Sequence, residues 1–152
     1  MVKLKSIIIL FISLMLSGCG YQSASDHEQI HGKDSGIPEL NTTIHNYFLN
    51  FEDINKWSDY ATDDFIKRVY SWCSGDTSES KSIIEMKSIY YEINKDSLKL
   101  KKYTIEDIEK VNESNVNIHV ERTWEDGSQD QSSYSIIKID GLWKINNRQV
   151  NQ

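Results

Sequence analysis

From Leu98 onward the apolar residues fall into a period of two, and this pattern most limits what the chain can fold into. Val116, Ile118, Val120 and Trp124 alternate with Asn117, His119, Glu121 and Thr123, as in a strand with one face buried. The stretch 98–111 predicts a strand before it. The apolar phase slips there between Ile105 and Ile108, which calls for a bulge. Gln131 to Ile139 and Leu142 to Asn147 predict two more strands. The turns between the four are Asn112–Asn115, Asp126-Gly127 and Asp140-Gly141. Connections this short join antiparallel neighbours, so the C-terminal half predicts a four-stranded antiparallel meander.

The preceding residues have a helical period instead. Pro38 suits a first helical position. Leu40, Ile44, Tyr47, Phe48 and Phe51 then make an amphipathic helix over 38–52, and Ile54, Trp57, Tyr60 and Ala61 continue the stripe. Thr62 can cap a further helix, with Asp63 and Asp64 at its positive end and Phe65, Ile66, Val69 and Trp72 on its apolar side. Ser74-Gly75-Asp76 breaks it. Asp76 and Glu79 could form a capping box for a third helix carrying Ile83, Met86, Tyr90 and Ile93, with a strand over Ile89–Ile93 as the alternative. Helices followed by a meander describe an α+β domain over residues 38–150.

Two segments resemble known families. The patterns Tyr47-Phe48-Leu49-Asn50-Phe51 and Trp57-Ser58-Asp59-Tyr60-Ala61, with the closing Asp140-Gly141-Leu142-Trp143-Lys144-Ile145, resemble the NTF2-like superfamily. That resemblance implies a curved sheet wrapping the helices into a cone. It implies no single activity, because this fold hosts isomerases, dehydratases, ligand-binding domains and assembly modules. At the other end, Lys3 and Lys5 precede a short apolar run, Ile7 to Leu16, as in a secretory signal peptide. The run falls short of the about 20 residues that a permanent span needs. Leu16-Ser17-Gly18-Cys19 resembles the lipobox of bacterial lipoproteins. This implies a diacylglyceryl group on the Cys19 thiol and a cut just before it. Two acyl chains make membrane attachment stable where one does not. The expected organisation is a signal peptide over 1–18, a polar lipidated tether over 19–37, and the domain. The implied location is the outer face of a cell membrane, and the Lys-, Asn- and Ile-rich composition hints at a Gram-positive host.

Removing residues 1–18, which hold two of the 17 basic residues and none of the 23 acidic ones, leaves 134 residues with a formal balance of −8. An acidic body argues against nucleic acid as a partner. With Cys19 lipidated, Cys73 is the remaining cysteine, so the domain has no internal disulfide and rests on its core.

His27-Glu28-Gln29-Ile30-His31 matches the H-E-x-x-H pattern of zinc peptidases. Its setting in a polar tether, with Gly32 following, lacks the stable helix such a site requires, and no metal or cofactor is expected. Cys73 has no neighbouring base and reads as a buried or half-buried spare thiol. His119 falls on the polar side of its strand, and His45 at a helix boundary. Arg122 shares the parity of Val120 and Trp124, so it points to the apolar side. There it can pair with an acidic residue, snorkel from the rim, or orient an anionic ligand. Trp57, Tyr60, Arg122, Trp124, Tyr134 and Trp143 are the candidate ligand-binding residues. Phe65, Tyr91 and Tyr103 are further aromatics that can line a cone mouth, although aromatics equally build a plain core. The expected function is non-enzymatic: an envelope interaction module with a protein partner, or alternatively a small-ligand binder. A cone enzyme acting on a small hydrophobic substrate stands further back.

Overall fold

The computed structural model describes residues 31–76 and 80–151. The signal segment, Cys19, and His27 and Glu28 of the H-E-x-x-H pattern lie outside the described residues. Among those described, no helix is long and apolar enough to cross a membrane.

Among the described residues four helices precede four strands, as the change of period requires. They are α1 (Pro38–Leu49), α2 (Ile54–Trp57, running into a 3₁₀ turn at Ser58–Tyr60), α3 (Asp63–Ser74) and α4 (Ile83–Asn94). The strands β1 (Leu100–Asn112), β2 (Asn115–Trp124), β3 (Gln129–Ile139) and β4 (Leu142–Asn151) form one antiparallel sheet in the order β1-β2-β3-β4. The α+β class and the meander are as expected.

Local chemistry sets the helix ends. Pro38 opens α1, and the Thr62 hydroxyl accepts the Phe65 N–H at 3.1 Å to cap α3. The α4 segment is helical, not a strand. Its capping box differs from the expected Asp76–Glu79 pair: Ser82 and Glu85 exchange side-chain and backbone hydrogen bonds. The Ser82 N–H and hydroxyl hold the Glu85 carboxyl below its usual pKa. Asp76 instead receives the Tyr70 hydroxyl at 2.9 Å and the Lys81 ammonium at 2.5 Å.

The sheet curves, and its irregularities show where. The β1–β2 register shifts between Ile105 and Asp107, the bulge expected from the phase slip. A second shift, between Ser135 and Ile136 of β3, places two β4 residues opposite one step of β3. The β3–β4 connection is a two-residue turn in which Asp140 and Gly141 both have positive φ, 50° and 82°, matching the twist of a tight hairpin.

The concave face closes over the helices. Leu40, Ile44, Ile54, Trp57 and Phe65 meet Ile105, Ile118, Tyr134, Ile136 and Ile145 in one buried cluster. Each large apolar side chain contributes about 1.5–3 kcal/mol by leaving water. Ala61 bridges Ile145, and the Thr62 N–H donates to the Ile145 carbonyl at 2.9 Å, which fixes the start of α3 against β4.

The ordered unit begins before the expected boundary at Pro38. The Ile105 N–H donates to the His31 carbonyl at 2.7 Å, the Lys33 N–H donates to the Ile105 carbonyl at 3.0 Å, and Lys33 pairs with Asp107 at 2.6 Å. Residues 31–33 therefore dock on β1, and Asp34 and Ser35 hydrogen-bond with Asn41 of α1, so the described end of the expected tether packs on the domain. A Cβ at Gly32 would fall 2.4 Å from the Ile105 oxygen, so only glycine fits this approach. The contact is between backbones at an edge-strand bulge, which a polar sequence does not reveal.

Candidate functional site

Alternation along the strands decides which side chains face the helices. On β2 these are Val116, Ile118, Val120 and Arg122; on β3, Ser132, Tyr134 and Ile136. On β4 they are Trp143 and Ile145, after which the bulge changes the phase. Arg148, not Asn147, then lies opposite the inward Tyr134. Two arginines thus enter the concave face from β2 and β4, with Tyr134 on β3 between them.

Arg122 is fully engaged. Its Nε and one terminal nitrogen donate to the two carboxylate oxygens of Asp130, the facing residue on β3, at 2.7 and 2.8 Å. The other terminal nitrogen donates to the Tyr134 hydroxyl at 3.1 Å. Trp124 Nε1 donates to the same Asp130 at 3.0 Å, and its ring lies 4.9 Å from the guanidinium. Arg122 is 3% exposed. Burial opposes its charge, but Tyr134 and Asp130 outweigh that, so its pKa stands raised.

Arg148 has no such partners. Among the described residues its guanidinium makes no hydrogen bond or ion pair, and its Nε is buried without a hydrogen-bond partner. It lies 5.1 Å from the Trp72 ring. Together with Phe51, Val69, Trp72, Tyr90, Leu98 and Trp124 it lines an open cavity of about 320 Å³ between α3, α4 and the β2–β3 end of the sheet. Burial pushes the Tyr90 phenol up to about 12, and the neighbouring Cys73 adds to this while Arg148 opposes it. Its hydroxyl stays protonated, a donor, and makes no hydrogen bond among the described residues. Lys95 and Lys99 stand at the rim, answered by Glu92 at 2.7 Å and Glu52 at 4.0 Å.

The six expected ligand residues do not make one site. Arg122 and Trp124 belong to the mouth, with Arg122 behind the wall. Trp57 and Tyr134 are core: Trp57 packs edge-on against Tyr47, Phe65 and Tyr90. Tyr60 and Trp143 line a separate groove of about 380 Å³ beside the β3–β4 turn, at the far end of the sheet. Parity assigns a face of the sheet but not a depth along it.

Other placements differ as well. Phe65 is core, Tyr103 stacks on Phe48 at 4.5 Å, and Tyr91 is exposed because the phase of α4 turns Tyr90 inward instead. Cys73 is exposed on the cavity wall, not buried or half-buried, with Sγ 3.9 Å from Asn94 Oδ1. It sits in the last turn of α3. His119 points away from the core, toward Ser133, as expected, and His45 Nδ1 lies 3.5 Å from the Tyr103 hydroxyl. Among the described residues no three His, Cys, Asp or Glu side chains group as metal ligands.

Arg148 is the functional candidate that sequence reasoning missed. The expected last strand stopped at Asn147, because Asn146-Asn147-Arg148-Gln149 has no apolar alternation. The one signal was Val150, two residues beyond Arg148 and in phase with it.

No family model and no curated protein matches the chain. Among solved structures, a de novo designed protein with a curved β-sheet is similar with a TM-score of 0.42 and 12% identity, covering 73% of this chain and 97% of its own. A protein from Campylobacter jejuni named as an NTF2-like transpeptidase is similar with a TM-score of 0.34 and 22% identity, covering 64% of this chain and 98% of its own. Likenesses at these levels assign no activity, substrate or partner.

Proposed function

We propose that the chain is a lipid-anchored, non-enzymatic binding module of the bacterial cell envelope, with an NTF2-like domain that holds its ligand in the mouth cavity. The observation that carries this reading is the cavity itself: aromatic walls, one unpaired arginine and an open side. The helices-then-meander order supports the NTF2-like assignment. Leu16-Ser17-Gly18-Cys19 supports the anchor, which would hold an acidic body at a membrane without contact with headgroups. The non-enzymatic reading rests on the three described histidines: His119 lies on the outer face, His31 and His45 lie beside Tyr103, and none is among the residues lining the cavity.

A protein-interaction module is the second reading, and a specific observation favours it. Leu142 and Ile139 are exposed at the β3–β4 turn beside the groove of Tyr60 and Trp143, and Trp143 Nε1 is buried without a hydrogen-bond partner among the described residues.

Photo-crosslinking in intact cells separates the two. A photoreactive residue replaces Leu98 at the mouth or Leu142 at the turn, and the captured species is identified by mass spectrometry. A small molecule captured only from position 98 is the expected result. A protein captured only from position 142 moves the function to the groove. For the anchor, Cys19→Ala should release the protein from membranes and abolish lipid labelling; unchanged membrane association would sink that part.

A further inference from the structure

The lining of the cavity combines apolar and aromatic walls with one cation that lacks a counter-charge, and the combination points to a class of ligand. The walls given by Phe51, Val69, Leu98 and Trp124 offer only apolar or aromatic surface to an occupant. On the wall the Arg148 guanidinium lies 5.1 Å from the Trp72 ring and makes no hydrogen bond or ion pair among the described residues. A cation without a counter-charge at an opening is a natural partner for an anionic occupant. Tyr90 lines the same cavity, and its hydroxyl makes no hydrogen bond among the described residues. The rim cations are already matched by Glu92 and Glu52, so the site lacks one negative charge and not several. The volume, about 320 Å³, lies near the lower end of the range for ligand pockets, about 300–1,000 Å³, and suits a compact molecule.

Resting on the reading of the mouth as a binding site, we propose that its ligand is a compact organic monoanion: a carboxylate on an apolar or aromatic body, with the carboxylate on Arg148 and the body between Trp72, Phe51 and Trp124. A guanidinium presents paired N–H donors that match a carboxylate edge, and the Trp72 ring beside it offers a face for the ligand's body. The source is either a free small acid or the C-terminal carboxylate of a peptide with an aromatic last residue; the anchoring chemistry is the same.

The test uses the full chain with three probes: 3-phenylpropionate, its uncharged amide, and a tripeptide ending in phenylalanine with a free carboxylate. Binding is read from the indole N–H resonances of Trp72 and Trp124 on titration, in the wild type and in Arg148→Gln and Arg148→Lys. Removing a charge-assisted pair should weaken binding by about tenfold or more. The expected result is that 3-phenylpropionate shifts both indoles saturably and the amide binds at least about tenfold more weakly. Arg148→Gln should reduce the acid to the level of the amide and leave the amide unchanged, and Arg148→Lys should recover part of the difference. Tighter binding of the tripeptide than of the free acid assigns the peptide source; the reverse assigns the small acid. If acid and amide bind equally, or Arg148→Gln weakens both alike, the carboxylate proposal is overturned and the cavity stands as an apolar site. If no probe shifts either indole, the proposal also fails, and the crosslinking from position 98 decides the binding-site reading separately.

Discussion

Arg122 and Arg148 reach the same concave face from strands on either side of Tyr134, each against a tryptophan ring, yet their surroundings are opposite. Arg122 has a carboxylate across the strand pair and a phenol beside it. Arg148 has a cavity in front of it. A buried cation that is fully paired belongs to the fold, while one kept at an aromatic opening without a partner marks a place where the fold is incomplete by itself. The first corner predicts large stability effects and no binding effect; the second predicts the reverse.

The largest expected effect is at the paired corner. Asp130→Ala removes three hydrogen bonds at once, two from Arg122 and one from Trp124 Nε1, and leaves a buried guanidinium without its counter-charge. Breaking one side of such a pair costs about 3–5 kcal/mol. Denaturant unfolding should show this as a lower midpoint at unchanged slope. A loss below about 1 kcal/mol would mean that the corner is solvated and the contrast between the two arginines is false.

The second effect is on pH dependence at the cavity side. Burial raises the Tyr90 phenol to about 12 from its ordinary value near 10. The folded state therefore favours the neutral phenol, and its contribution is fully present below about pH 10 and lost as pH rises toward 12. Two units correspond to on the order of 2–3 kcal/mol. Tyr134 is also raised, by burial first, with Arg122 and Arg148 opposing, so its contribution has the same sign and is lost as the solution becomes alkaline. Stability measured by chemical denaturation should be flat from about pH 8 to 10 and fall above that; in Tyr90→Phe the fall should shrink. An equal fall in both proteins would place the titration elsewhere.

The architecture was readable from the chain because it rests on repeated local signals. The alternation in β2, the phase slip at Ile105 and the Asp140-Gly141 turn each name a face, a bulge or a register. The site was not readable, because it depends on an offset that carries no apolar pattern. The β4 bulge at Asn146 reverses the parity of everything after it, turning Arg148 inward. The helical stripe Ile83, Met86 and Tyr90 named the inward face of α4, but not that Tyr90 would meet Arg148 there. Arg122 illustrates the limit from the other side: its inward direction was legible, but Asp130 as its partner was not, since pairing depends on register across a hairpin. The docking of Gly32 and Lys33 on β1 escaped for a similar reason, being carried by backbone groups that every residue has.

The smallest effect on stability is expected at Arg148, and it sharpens the comparison most. Arg148→Met removes a cation over Trp72, an interaction worth about 0.5–2 kcal/mol. It also removes a buried, unsatisfied Nε, whose presence costs about 1–3 kcal/mol, and the methionine stem keeps much of the packing. The two nearly cancel, so the unfolding midpoint should stay within about 1 kcal/mol of wild type, on either side. An arginine that the fold does not need, kept at an opening where it weakens the core about as much as it helps, fits a residue retained for what it binds. A loss above about 2 kcal/mol would make Arg148 a structural residue like Arg122, and the two corners would differ in degree only.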